Sequence, residues 1–204
     1  MSTERAMLNL LLDRYTDLRR GTISDRWVRA EHVKSGTGYS DNQRIVDFVA
    51  ADKHGGYAGE KLALHGHEVK VSRADWLTEL RDPNKAEAIR RYMHHWWLVV
   101  PDAAIVKPGE LPEGWGLMVP GANGKLRAKV AAPRLAPEAP PLAFIISLMS
   151  SAARTAHREP LHRDAPVTHG RRSARHCGVC MNVSPCHLHQ PREAAVALTL
   201  KAVS

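Results

Sequence analysis

Hydrophobic positions in the first segment of the chain recur at helical spacing. Met7, Leu8, Leu11, Leu12, Tyr15 and Leu18 predict an amphipathic helix over Glu4 to Arg20. A second helix is predicted from about Asp25 to Lys34, stopping near Gly36. The pattern then changes. Arg44 to Ala50 is rich in β-branched and aromatic residues and predicts a strand, and a second strand carries Glu68-Val69-Lys70. Between them lies the loop His54-Gly55-Gly56-Tyr57-Ala58-Gly59. It lacks the lysine-serine ending of a nucleotide-phosphate cradle, so it is expected to be a connection only.

Ser72 and Asp75 have capping-box spacing and predict a helix start. Asp82-Pro83 interrupts that helix and restarts another, with Asp82 as N-cap. The uninterrupted apolar run Trp96-Trp97-Leu98-Val99-Val100 predicts a strand covered on both faces, ended by Pro101. Its tryptophans are therefore expected in the core rather than on a base-stacking platform. Trp115 to Val119 and Lys125 to Val130 flank Asn123-Gly124 and predict a hairpin. After a proline-rich stretch from Ala132 to Pro141, the run Leu142 to Met149 predicts a helix packing back on the core.

One triplet in this framework carries chemistry. Lys70 alone among the lysines has an acid two residues before it, and alternation along a strand turns Glu68 and Lys70 to one face with Val69 opposite. Asp47 sits among apolar neighbours on the upstream strand, where a carboxylate is costly unless paired. Phosphodiester hydrolysis needs a nucleophilic water, charge neutralisation on the phosphoryl oxygens and help for the leaving oxygen. Mg²⁺ or Mn²⁺ held by Asp47, Glu68 and the Val69 carbonyl would serve that chemistry, with Lys70 as a point charge beside the water. The bland alternative is a solvated strand face.

The segments RIVDFVAAD, LALHGHEVKVSRADWLTELRDPNKAEAIRRYMHHWWLVVP and KPGELPEGWGL resemble the MmcB-like DNA-repair family, a branch of the PD-(D/E)xK nuclease superfamily. The resemblance covers about half the chain. It implies a restriction-endonuclease-like α/β core, a small mixed sheet flanked by helices, with Asp47, Glu68 and Lys70 at active-site positions. It also implies that Glu31, placed on the second predicted helix, stands for the extra acid many members carry on their first helix. Lys85, on the restarted helix, is implied as a phosphate contact, although a solvated helical face explains it as well. Two departures stand out. Val46 replaces the motif's proline, and the first core strand has only the stretch around Gly38 to Ser40 available to it.

Composition adds a partner. The net charge is +8 and the pI near 9.7, which favours a polyanion. From residue 151 onward there are eight basic and three acidic residues, five of the eight net charges, with six of the twelve histidines. That distribution suggests a nucleic-acid-binding tail containing Arg171, Arg172 and Arg175, with a merely solubilising disordered end as the equal alternative. No transmembrane run or signal-peptide core is present, so a cytoplasmic protein without membrane contact is expected.

All three cysteines fall within ten residues. Cys177 and Cys180 have the spacing of half a zinc knuckle, and Cys186 with His189 would complete a Cys₃His site for a structural Zn²⁺. His187 is a rival fourth ligand and His176 a weaker one. A mini-domain of that size would draw its folding energy from the metal. Incidental thiols in a tail and a redox pair are the alternatives. The expected organisation is a nuclease-like domain over 1–156, a basic linker over 157–175 and a zinc-knuckle tail over 176–204.

Two functions are compatible with these features. One is a metal-dependent DNA nuclease acting in repair or in phage DNA metabolism, since members of the resembled family also occur among phage genes. The other is a catalytically inactive nuclease-fold module, or a repair-complex adaptor, that binds through the basic tail.

Overall fold

A computed structural model of the protein describes residues 3–16, 26–38, 43–53, 62–82 and 84–158. They form one six-stranded mixed sheet with helices on both faces, an α/β architecture. The order is α1 (Glu4–Arg14), β1 (Trp27–Lys34), β2 (Ile45–Asp52), β3 (Ala63–Val69), α2 (Arg73–Arg81), α3 (Asn84–Arg90), β4 (His95–Val99), β5 (Trp115–Pro120), β6 (Leu126–Val130) and α4 (Leu142–Arg158). The strands lie side by side in sequence order. β1–β2, β2–β3 and β5–β6 are antiparallel, whereas β3–β4 and β4–β5 are parallel. The α2–α3 pair provides the crossover that a parallel β3–β4 pair requires.

Helix α1 starts where the Thr3 hydroxyl accepts from the Ala6 N–H, and it lays Met7, Leu8, Leu11 and Leu12 onto one face of the sheet. There they meet Phe48, Ala50, Val69, Trp97, Val99 and Met118. The helix stops at Arg14, short of the predicted Arg20, and Tyr15 leaves the helical conformation to stack on Phe48. The opposite face buries Trp76 of α2, Ala86 and Ile89 of α3 and Phe144 of α4 against Val49, Trp96, Leu98 and Leu117. Trp96 and Trp97 are both core residues, and β4 is buried almost throughout, as a strand covered on two sides must be.

The second predicted helix is not a helix. Trp27–Lys34 is strand β1, at the edge of the sheet beside β2, and residues 39–40 lie outside the described residues. Apolar residues at Trp27, Ala30 and Val33 imitate helical spacing because both faces of β1 are covered. Ala30 and Glu31 are consecutive and both buried, which erases the alternation of a half-exposed strand. His32 adds to the disguise: its φ of 51° interrupts the ladder with β2 between the pairs Glu31–Phe48 and Val33–Val46. Helix α4 supplies the cover through small polar side chains, since Ser147, Ser151 and Thr155 are its buried residues beside Phe144. The apolar run that predicted α4 faces largely outward instead, with Leu142, Ile145, Ile146 and Met149 exposed.

The predicted break at Asp82-Pro83 separates α2 from α3, and Ser72 caps α2 with its hydroxyl accepting from the Asp75 N–H. The predicted hairpin is β5–β6, with Gly124 at a φ of 73° in the turn. Among the described residues no helix is long and apolar enough to cross a membrane. The glycine-rich loop 54–59 and everything from residue 159 onward lie outside the described residues. That segment contains Arg171, Arg172, Arg175, Cys177, Cys180, Cys186 and His189 with its rivals His187 and His176.

Candidate active site

Sheet register brings the predicted residues together. In the antiparallel β2–β3 pair Phe48 stands opposite His67, so Asp47 stands opposite Glu68. β3 ends at Val69, and the Lys70 N–H donates to the Val99 carbonyl at 3.0 Å, continuing the pairing with β4 by one residue. Asp47, Glu68 and Lys70 therefore gather at the carboxyl end of a parallel strand, where ligands of α/β sheets commonly bind. The Val69 N–H donates to Asp47 Oδ2 at 2.7 Å and orients that carboxylate.

Lys70 is enclosed by acids. Its Nζ donates to Glu68 Oε1 at 2.6 Å and pairs with Glu79 Oε2 at 2.9 Å. Glu79 comes from the inner face of α2, three residues after the fully buried Trp76, and it also pairs with Lys85 Nζ at 3.3 Å. Burial disfavours the Lys70 ammonium, but Glu68 and Glu79 outweigh it and hold its pKa above the ordinary value. Burial, reinforced by the Asp47 charge, pushes Glu68 up to about 8. Asp47 is also raised by burial, against the Val69 hydrogen bond and the Lys70 charge. Two carboxylates, Glu68 and Glu79, thus hold one lysine, with Asp47 beside Glu68.

An open cleft of about 350 Å³ lies over this cluster. It is lined by Asp47, Val69, Lys70, Glu79, Lys85 and, from the first turn of α1, Glu4. Lys85 is in place to meet an anion entering the cleft. Glu68 lies behind the lining, occupied by Lys70. Glu31 is elsewhere. It sits on β1 rather than on a helix, buried and salt-bridged to Arg5, with its backbone N–H donating to Thr155 Oγ1. The acid that the first helix brings to the cleft is Glu4.

No protein-family model and no curated protein matches the chain. Among solved structures it is similar to a protein of unknown function from Silicibacter pomeroyi. The two share 20% identity and a TM-score of 0.49, over 83% of this chain and 97% of that one.

Glu79 and Glu4 in the cleft, and His32 beside Asp47, are residues that sequence reasoning missed. For Glu79 a signal existed: an acid on the same helical face as Trp76 must be buried, and a buried acid needs a cation. Glu4 and His32 had none, because each reaches Asp47 from a different element. Hard carboxylate oxygens facing an open cleft suit a divalent cation, with Lys70 and Lys85 supplying fixed positive charge for a phosphate beside it. The donor set therefore fits Mg²⁺ or Mn²⁺.

Proposed function

We propose that the protein is a metal-dependent DNA nuclease of the PD-(D/E)xK type, resembling the MmcB-like repair family. The observation that carries this reading is the placement of Asp47 on β2 and Lys70 at the end of β3 in one open cleft, with Glu68 directly behind Lys70. The element order helix, three antiparallel strands, helices, parallel strand supports a restriction-endonuclease-like core, in which β1 would serve as the first core strand. The +8 net charge supports a polyanionic substrate.

Asp47, Glu68 and the Val69 carbonyl are the groups that would hold Mg²⁺ or Mn²⁺. When bound, the cation neutralises charge on the phosphoryl oxygens and eases deprotonation of the attacking water. Lys70, fixed between Glu68 and Glu79, presents its ammonium to the developing phosphoryl charge without any reorganisation. Lys85 holds a flanking phosphate. In this reading the tail, which lies outside the described residues, would add substrate affinity through Arg171, Arg172 and Arg175, with a structural Zn²⁺ on Cys177, Cys180, Cys186 and one of His189, His187 and His176.

The test uses labelled single-stranded, duplex and forked DNA with Mn²⁺, Mg²⁺ or EDTA. Cleavage is expected only with metal, and Asp47→Asn should lower its rate by at least about a thousandfold with DNA affinity retained. Equal cleavage by Asp47→Asn and Lys70→Met at the wild-type rate would refute the assignment. Tight, salt-sensitive binding with no cutting on any substrate would transfer the function to the non-catalytic binding module.

A further inference from the structure

Asp47 has neighbours on its open side that the nuclease motif does not include. One ligand atom each from Glu4, His32 and Asp47 lie within 4.8 Å of one another. The three residues come from α1, β1 and β2. Asp47 Oδ2 accepts from the Val69 N–H at 2.7 Å, so ligation of an ion beside Glu4 and His32 would fall to Oδ1. His32 Nε2 stands 3.9 Å from Glu4 Oε1, beyond hydrogen-bond range. Adjacent ligands of one octahedral ion stand about 3 Å apart, so small rotations of the partly exposed Glu4 and His32 would close the set.

His32 is held in place at some cost. Its φ of 51° is rare for a residue with a side chain and persists only where the surroundings enforce it. Helix α4 does so from both sides of the residue. Ser151 Oγ donates to the His32 carbonyl at 3.4 Å, and Thr155 Oγ1 accepts from the Glu31 N–H at 2.9 Å. The kink takes His32 out of the ladder while its imidazole faces Glu4 and Asp47.

We propose that Glu4, His32 and Asp47 form a mixed nitrogen–oxygen site that takes a first-row transition-metal ion in preference to Mg²⁺, with Mn²⁺ as its paramagnetic probe. Mg²⁺ takes hard oxygen ligands, whereas an imidazole suits Fe, Ni, Cu and Zn best, and two carboxylates balance a divalent charge. This deepens the nuclease reading, on which it rests only for what the ion would do there.

Electron paramagnetic resonance of the full-length protein, dialysed free of divalent ions and titrated with Mn²⁺ without DNA, tests the site. The expected result is bound Mn²⁺ showing electron-spin-echo coupling to an imidazole nitrogen. His32→Asn, which tolerates the left-handed backbone, should abolish the coupling and weaken binding at least about tenfold. Mg²⁺ should compete at least about tenfold less well than Mn²⁺ binds. Bound Mn²⁺ without nitrogen coupling in the wild type, coupling that survives His32→Asn, or no Mn²⁺ bound at millimolar concentration would each overturn the proposal. Because DNA is absent, a protein that cuts yet lacks the coupling refutes this site and leaves the nuclease standing. Nitrogen coupling in a protein that never cuts does the reverse.

Discussion

Replacing Lys70 by methionine keeps most of the aliphatic stem and removes the cation that pairs with both Glu68 and Glu79. At 2.6 and 2.9 Å, and an effective dielectric near 20, each contact has a gross attraction of about 6 kcal/mol. Dehydrating the three ions costs several kcal/mol apiece and offsets most of that. What remains after one side of a buried pair is removed is typically about 3–5 kcal/mol, and we expect Lys70→Met to lose that much at pH 8.5. The deficit should depend on pH. Glu68 titrates near 8 in the folded protein and near 4.5 when unfolded. Between those values the folded state keeps a proton that the unfolded chain has released, so folding weakens as pH rises through the window. Loss of Lys70 raises Glu68 further and steepens that slope, so the deficit should shrink at pH 5.5. Urea unfolding followed by tryptophan fluorescence in EDTA measures both. A deficit below about 1 kcal/mol at pH 8.5, or an equal deficit at the two pH values, would refute the claim that Lys70 balances a carboxylate cluster.

Two further outcomes probe the sheet that carries the site. A Cβ at Gly66, on β3 two residues before Glu68, would come within 2.5 Å of Trp96 Cε3 and 3.0 Å of Met93 Cγ. Gly66→Ala should therefore cost about 3 kcal/mol, or roughly 6–12 °C in melting temperature, and an unchanged melt would show that the β3–β4 contact yields. On the other face His65 stacks on His95 at 4.5 Å, and burial together with the His95 charge lowers its pKa to about 3. Its nitrogen resonances should not titrate between pH 8 and 4. The unfolded chain takes up that proton below about 6.5, so this group costs stability as pH falls toward 3; a midpoint near 6 would contradict the burial argument.

Much of the framework was legible because it is local. Helical spacing from Met7 to Leu12, the cap at Ser72, the Asp82-Pro83 break, the apolar run at Trp96 and the Asn123-Gly124 turn each depend on neighbours a few residues away. The shared face of Glu68 and Lys70 follows from strand alternation alone, and the structure keeps it, with the two side chains in contact. Strand β1 was not legible, since a strand buried on both faces and kinked at His32 has no period to read. Glu31 went with it, misplaced onto a helix that does not exist and bound instead to Arg5.

The chain by itself therefore determined which segments fold into which elements over most of the sheet, and that Asp47, Glu68 and Lys70 stand on neighbouring strands. Only the tertiary structure decided what surrounds them. Strand register set Asp47 opposite Glu68, the crossover brought Glu79 back onto Lys70, α1 delivered Glu4, and α4 held His32 in a conformation no local preference would choose. Periodicity reports which face of an element is buried. The partner that buries it, and so the charge each acid must meet, is set by contacts between residues far apart in sequence.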